Sequence, residues 1–222
     1  MLAPLVGERP GESAGRPPWR LALLPGQTVP RTEFTAVPID RKQVLRIDAH
    51  ASYGNLVHPL SRPAGEGARW LSWRWRVDRF ADGSDLRSKA GDDSALRVCA
   101  LFDHPLERVP FFERLLLRFA RSRSGEALPG ATICYVWDRL LPAGSELRNA
   151  YTRRVRYVVL QGPPAPTGVW RSERRDLGAD FLRVFGDEAS GVPPLVAILV
   201  GADADNTKSE SRSYLSDLSL ER

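Results

Sequence analysis

Two groups of oxygen-bearing side chains mark where this chain could do chemistry. Asp92 and Asp93 stand just ahead of the run SALRVCALF, and Asp203, Asp205, Asn206 and Thr207 follow the run PLVAILV and a Gly-Ala pair. An unpaired carboxylate is costly to bury, so at a strand end it stays in water or meets a counter-charge, a metal or a ligand. Asp203 and Asp205 offer oxygens at alternate positions, as a loop does when it wraps a hard cation, and they are the candidate metal ligands, for calcium. The EF-hand pattern is not met: its glycine is absent and Tyr214 stands where the closing Glu would be. An Asx-type turn, in which Asp and Asn side chains satisfy local backbone donors, ranks above the metal site. Arg97 sits in a run that is apolar on both faces, so its guanidinium needs a carboxylate, and Asp93 or Asp92 is the expected partner. A catalytic reading would use Asp93 and Asp205 as acid and base or nucleophile. Sequence alone does not bring those two within reach, so binding ranks above catalysis.

Aromatic rings are the other lead, because flat rings suit the apolar faces of sugars. Trp73 and Trp75 share a face with Leu71 and Val77 and are assigned to the core, as are Tyr135 and Trp137 beside Ile133. Trp70 falls on the opposite parity and is the surface candidate. The expected ligand-binding set is therefore Asp92, Asp93, Arg97, Asp203, Asp205, Asn206 and Trp70.

These groups must be held by strands. Residues 71–77 alternate cleanly, and residues 96–102 are apolar on both faces, as a central strand is. Residues 44–51, 133–137, 155–160, 195–200 and 214–220 read as further strands, separated by Gly and Pro clusters. Apolar residues at 3–4 spacing over residues 111–119 after Pro110 predict a helix, and residues 177–185 predict a shorter one closed by Gly186. Many short strands with few helices predict an antiparallel β-sandwich or jelly roll. Residues 1–18, rich in Pro, Gly, Glu and Arg, are expected to be a flexible lead-in to one domain over 19–222. That lead-in contains Gly11, Ser13 and Gly15 in the G-x-S-x-G esterase spacing, but Pro17 and Pro18 follow it, where the motif requires a helix, so it reads as a chance match.

Composition bounds the partners. The 222 residues carry a net charge of +5 with only three lysines among 32 basic residues. Arginine in such excess is what GC-rich coding produces, and here it is dispersed among Asp and Glu, so no nucleic-acid partner is expected. No apolar run is long enough to span a bilayer. The N-terminus shows no signal-peptide pattern. Cys99 and Cys134 both fall in strands, free or bonded, and with three isolated histidines they form no zinc spacing.

Taken in order, Trp73-Arg74-Trp75, Lys89-Ala90-Gly91-Asp92-Asp93 with Arg97, Tyr135-Val136-Trp137, Trp170 with Glu173-Arg174-Arg175, Asp180-Phe181 with Phe185-Gly186, and residues 203–207 resemble an uncharacterised bacterial family, domain of unknown function 3047. The resemblance runs over about residues 19–220. It implies an exported, periplasmic β-sandwich similar to carbohydrate-binding modules, with no assigned activity. The reading is a carbohydrate- or polyhydroxyl-binding sandwich rather than an enzyme. Its rivals are a polysaccharide hydrolase or lyase using Asp93 and Asp205, and a structural envelope or interaction domain.

Overall fold

The structure is a computed structural model that describes residues 2–7, 17–24, 26–64, 70–105 and 129–221. The helix expected over residues 111–119 and the G-x-S-x-G match lie outside the described residues.

Among the described residues twelve strands form two packed sheets, so the chain is a mainly β sandwich of the jelly-roll kind. They are β1 (Arg20–Ala22), β2 (Glu33–Ile39), β3 (Lys42–His50), β4 (Tyr53–Ala64), β5 (Trp70–Arg79), β6 (Arg97–Phe102), β7 (Ala131–Trp137), β8 (Glu146–Arg148), β9 (Val155–Gln161), β10 (Arg171–Asp176), β11 (Leu195–Asp203) and β12 (Glu210–Glu221). One sheet has the order β1-β4-β11-β6-β7-β9-β8, and the other β10-β5-β12-β3-β2. Pairing is antiparallel with one departure from expectation: β7 and β9 run parallel. The connection between them, residues 138–154, is long enough to cross over and lays β8 along the outer side of β9 on the way.

The core follows the period-two pattern. Leu71, Trp73, Trp75 and Val77 of β5 are almost fully buried and face Val98, Ile133, Tyr135, Trp137 and Ile198 of the larger sheet. Trp73 packs on Tyr135 with ring centres 5.4 Å apart, and Trp75 on Trp137 at 5.9 Å. β6 and β7 are buried on both faces, because the outer face of the larger sheet carries a second apolar cluster that includes Val57, Leu101, Val136 and Val159. On that face Cys99 and Cys134 are directly opposed and form a disulfide.

The helix α1 (Leu177–Phe185) forms as its sequence predicts. Asp176 caps it, its Oδ1 accepting from the Gly178 and Ala179 N–H groups at 2.9 and 3.0 Å. Leu177, Phe181, Val184 and Phe185 supply its buried stripe. The lead-in is not wholly free of the domain. Trp19 is buried, its indole donates to the Ala3 carbonyl at 2.9 Å, and Leu2, Leu5 and Val6 pack against the core. Burial of those apolar side chains outweighs the flexibility their Pro- and Gly-rich surroundings suggest.

Candidate functional site

Both acidic groups meet at one end of the larger sheet. β6 and β11 are antiparallel neighbours, so the start of β6, which Asp92 and Asp93 precede, lies beside the end of β11, which Asp203 closes. Asp93 staples the loop that follows β11. Its Oδ1 accepts from the Asn206 backbone and side-chain N–H groups at 3.1 and 3.3 Å, and its Oδ2 from the Thr207 N–H at 2.7 Å and hydroxyl at 2.6 Å. Asp92 accepts from the Asn149 amide at 2.6 Å and the Tyr157 hydroxyl at 3.0 Å.

Arg97 pairs with neither Asp92 nor Asp93. Its Nη1 donates to Asp203 Oδ2 at 2.5 Å, while the Ser94 N–H donates to Asp203 Oδ1 at 2.7 Å. Its Nε and Nη2 both donate to Asn55 Oδ1, at 3.2 and 3.0 Å. Register explains this choice of partner. Gly201 is paired with Arg97 on one side and Asn55 on the other, so all three project to the same face, together with Asp203 two residues further on. A side chain at Gly201 would put its Cβ 1.9 Å from Asn55 Oδ1. The glycine is the gap through which the Asn55 and Arg97 side chains meet.

Electrostatics within the cluster is dominated by burial. Burial pushes the Asp203 carboxyl up to about 6, against the pull of Arg97. The carboxyls of Asp92 and Asp205 are also raised, chiefly by burial and further by the nearby Asp93 charge. Burial opposes the Arg97 charge, yet Asp203, with Tyr53 and Tyr157, raises its pKa above the ordinary arginine value. The Arg97 guanidinium also lies 5.4 Å from the centre of the Tyr53 ring.

Asp205 differs from its neighbours. Oxygens of Asp93, Asp203 and Asp205 lie within 4.8 Å of one another, and Asp205 Oδ1 is buried with no hydrogen-bond partner among the described residues. The adjoining Ser94 Oγ is likewise buried and unpartnered. Three carboxylates are a hard, all-oxygen donor set that suits calcium. Each Asp93 oxygen accepts two hydrogen bonds, whereas each Asp203 oxygen accepts one and Asp205 Oδ1 none among the described residues, so Asp203 and Asp205 keep lone pairs that such an ion could use. Tyr151 forms the rim. Its ring is 55% exposed, and its hydroxyl is 2.9 Å from Asn206 Oδ1.

Of the residues expected from sequence, Asp92, Asp93, Arg97, Asp203, Asp205 and Asn206 come together. Trp70 does not. It pairs with Glu221 at the far end of β12, a strand whose first residue, Glu210, adjoins the cluster. Twelve residues of strand, roughly 40 Å, separate the two ends. Sequence reading missed Asn55, Gly201, Asn149, Tyr151 and Tyr157, since a lone Asn or Tyr gains meaning only from register.

Residues 17–219 match the family described as a protein of unknown function, DUF3047. The chain belongs to this family. No curated protein matches it. Among solved structures it is similar to endoglucanase 3 of family GH12 from Trichoderma harzianum, at 11% identity and TM-score 0.47, covering 95% of this chain and 94% of that one. It is also similar to the xyloglucanase domain of NopAA, a type three effector from Sinorhizobium fredii, in complex with cellobiose, at 10% identity and TM-score 0.42, covering 98% and 90%. A third likeness is to the K3 adhesin domain of Lys-gingipain from Porphyromonas gingivalis, at 9% identity and TM-score 0.38, covering 94% of each chain.

Proposed function

We propose that the acidic cluster binds a polyhydroxylated ligand of the carbohydrate class, with calcium held by Asp203 and Asp205. The observation that carries this reading is the Asp205 oxygen, buried and unpartnered beside two further carboxylates. A buried carboxylate oxygen without a donor is unfavourable until a cation or a ligand hydroxyl reaches it. The exposed Tyr151 ring beside it offers a stacking face for a sugar, and Asn149 and Asn206 hold that rim in place. A hydrolase or lyase working through Asp93 and Asp205 has less support. Four donors already occupy the Asp93 oxygens, which leaves that carboxylate poorly suited to take a proton or attack a substrate.

The test is a calorimetric titration of calcium into EDTA-stripped protein, followed by a glycan screen with and without the ion. Asp205→Asn removes charge with little change of shape. It should abolish calcium binding and calcium-dependent glycan binding while the melting temperature of the stripped protein barely moves. Loss of about 1 kcal/mol of stability with calcium binding intact would make Asp205 a turn residue and end the reading.

A further inference from the structure

The outer face of the five-stranded sheet carries a second arrangement that the acidic cluster does not use. Of the six tryptophans, Trp19, Trp73, Trp75 and Trp137 are no more than 2% exposed. The other two, Trp70 and Trp170, both lie on this face, and each has an arginine over its ring. The Arg174 guanidinium is 3.8 Å from the Trp70 ring centre, and that of Arg74 is 5.4 Å from Trp170. Arg76 lies 5.0 Å over Tyr214, whose ring is in turn 6.4 Å from Trp170. Trp70, Arg74 and Arg76 all belong to β5, on the side opposite the buried Trp73 and Trp75. The row spans roughly 20 Å of strand.

At its middle is a cavity of about 90 Å³ lined by Val44, Trp170, Arg74, Lys42, Asp40 and Ser216. Two backbone irregularities shape it. Asp40 and Arg41 turn between β2 and β3 with φ of 50° and 63°, and a bulge in β12 leaves Asp217 at φ 56°. That bulge turns Asp217 toward Lys42, with which it pairs, and leaves it 3.9 Å from Arg74. Arg76, by contrast, is held by Asp78 through two bonds of 2.6 and 2.7 Å. Among the described residues no hydrogen bond engages the Arg74 side chain. Beside the long 3.9 Å ion pair to Asp217, its planar fork keeps hydrogen-bond donors for a carboxylate from solution.

We infer that this face is a second ligand site, specific for an acidic oligosaccharide of the uronate type. A pyranose ring lies on Trp170, its carboxylate meets Arg74 and Lys42, and Asp40 and Ser216 accept from its hydroxyls. Arg174, held over Trp70, offers a second guanidinium further along the row for the next carboxylate.

The site shares no residue with the acidic cluster, so the experiment is run in EDTA, where the cluster holds no calcium. Tetragalacturonate is titrated while tryptophan fluorescence is followed, with cellotetraose and a single-stranded oligo-dT in parallel. Tetragalacturonate should change the fluorescence and bind more tightly than both. Trp170→Ala and Arg74→Gln should each weaken it by about tenfold, the size of one good stacking or charge contact, and Asp205→Asn should leave it unchanged. If Trp170→Ala does not fold, Arg74→Gln at an exposed position decides alone. No response to tetragalacturonate, equal affinity for cellotetraose, tighter binding of oligo-dT, or insensitivity to Arg74→Gln would each overturn the assignment.

Discussion

Asn55 and Arg97 belong to strands that do not pair with each other, yet Asn55 Oδ1 accepts two hydrogen bonds from the Arg97 side chain. They reach across β11 because Gly201 stands between them without a side chain. The buried guanidinium is thereby satisfied from both sides, by an amide oxygen and by the Asp203 carboxylate.

Gly201→Ala should therefore destabilise the protein by about 1–3 kcal/mol, combining overpacking with a displaced hydrogen-bond acceptor. Urea unfolding measures it. A change within 0.5 kcal/mol, the range of ordinary surface substitutions, would show that the gap is not needed.

Arg97→Met should be worse, about 3–5 kcal/mol, because it leaves Asp203 buried without its counter-charge. Adding Asp203→Leu to Arg97→Met should recover much of the loss. Strict additivity of the two substitutions would mean that the pair is not coupled.

Glu173 gives a test by pH. Its carboxylate accepts from the Trp75 indole at 3.1 Å and the Gln161 amide at 2.7 Å, but burial outweighs both and raises its pKa above the ordinary 4.5. A carboxyl whose folded pKa is raised binds more protons folded than unfolded, so its contribution is most favourable below 4.5 and is lost as pH climbs through the folded value. Glu173→Gln removes that term. The stability of wild type relative to this variant should fall between pH 4 and pH 7, as read from urea unfolding at each pH. A constant difference would place the Glu173 pKa at its unfolded value.

Replacing both Cys99 and Cys134 by Ala should lower stability by about 2–4 kcal/mol, since the bond closes a loop of 35 residues. Alkylation and mass analysis without reductant should find no free thiol. Two alkylated cysteines in freshly isolated protein would refute the bond.

What could be read from sequence was whatever depends on local periodicity. β5 was legible because Leu71, Trp73, Trp75 and Val77 alternate without interruption, and α1 because its apolar stripe is closed by Gly186. β4 was not, since Gly54, Pro59 and Pro63 break its pattern. The fold tolerates Pro59 because β1 flanks only residues 55–57, and a register shift in β11 falls beside the proline. The parallel β7–β9 pair was hidden for a different reason, as direction is set by the path of a crossover and leaves no trace in either strand. At the site, residue types and loop positions were legible but partners were not. Asp93 is four residues from Arg97, yet Asp203, 106 residues away, is the ion-pair partner, because strand register decides which carboxylate shares a face with the guanidinium.

The Cys99–Cys134 bond joins two neighbouring strands on either side of the connection between them. A protease that cut this chain anywhere in residues 103–130 would leave two fragments that still travel as one molecule. They would run at full mass on a non-reducing gel and separate only when a thiol is added. The sandwich can thus receive a break between β6 and β7 without losing the covalent continuity of those two strands.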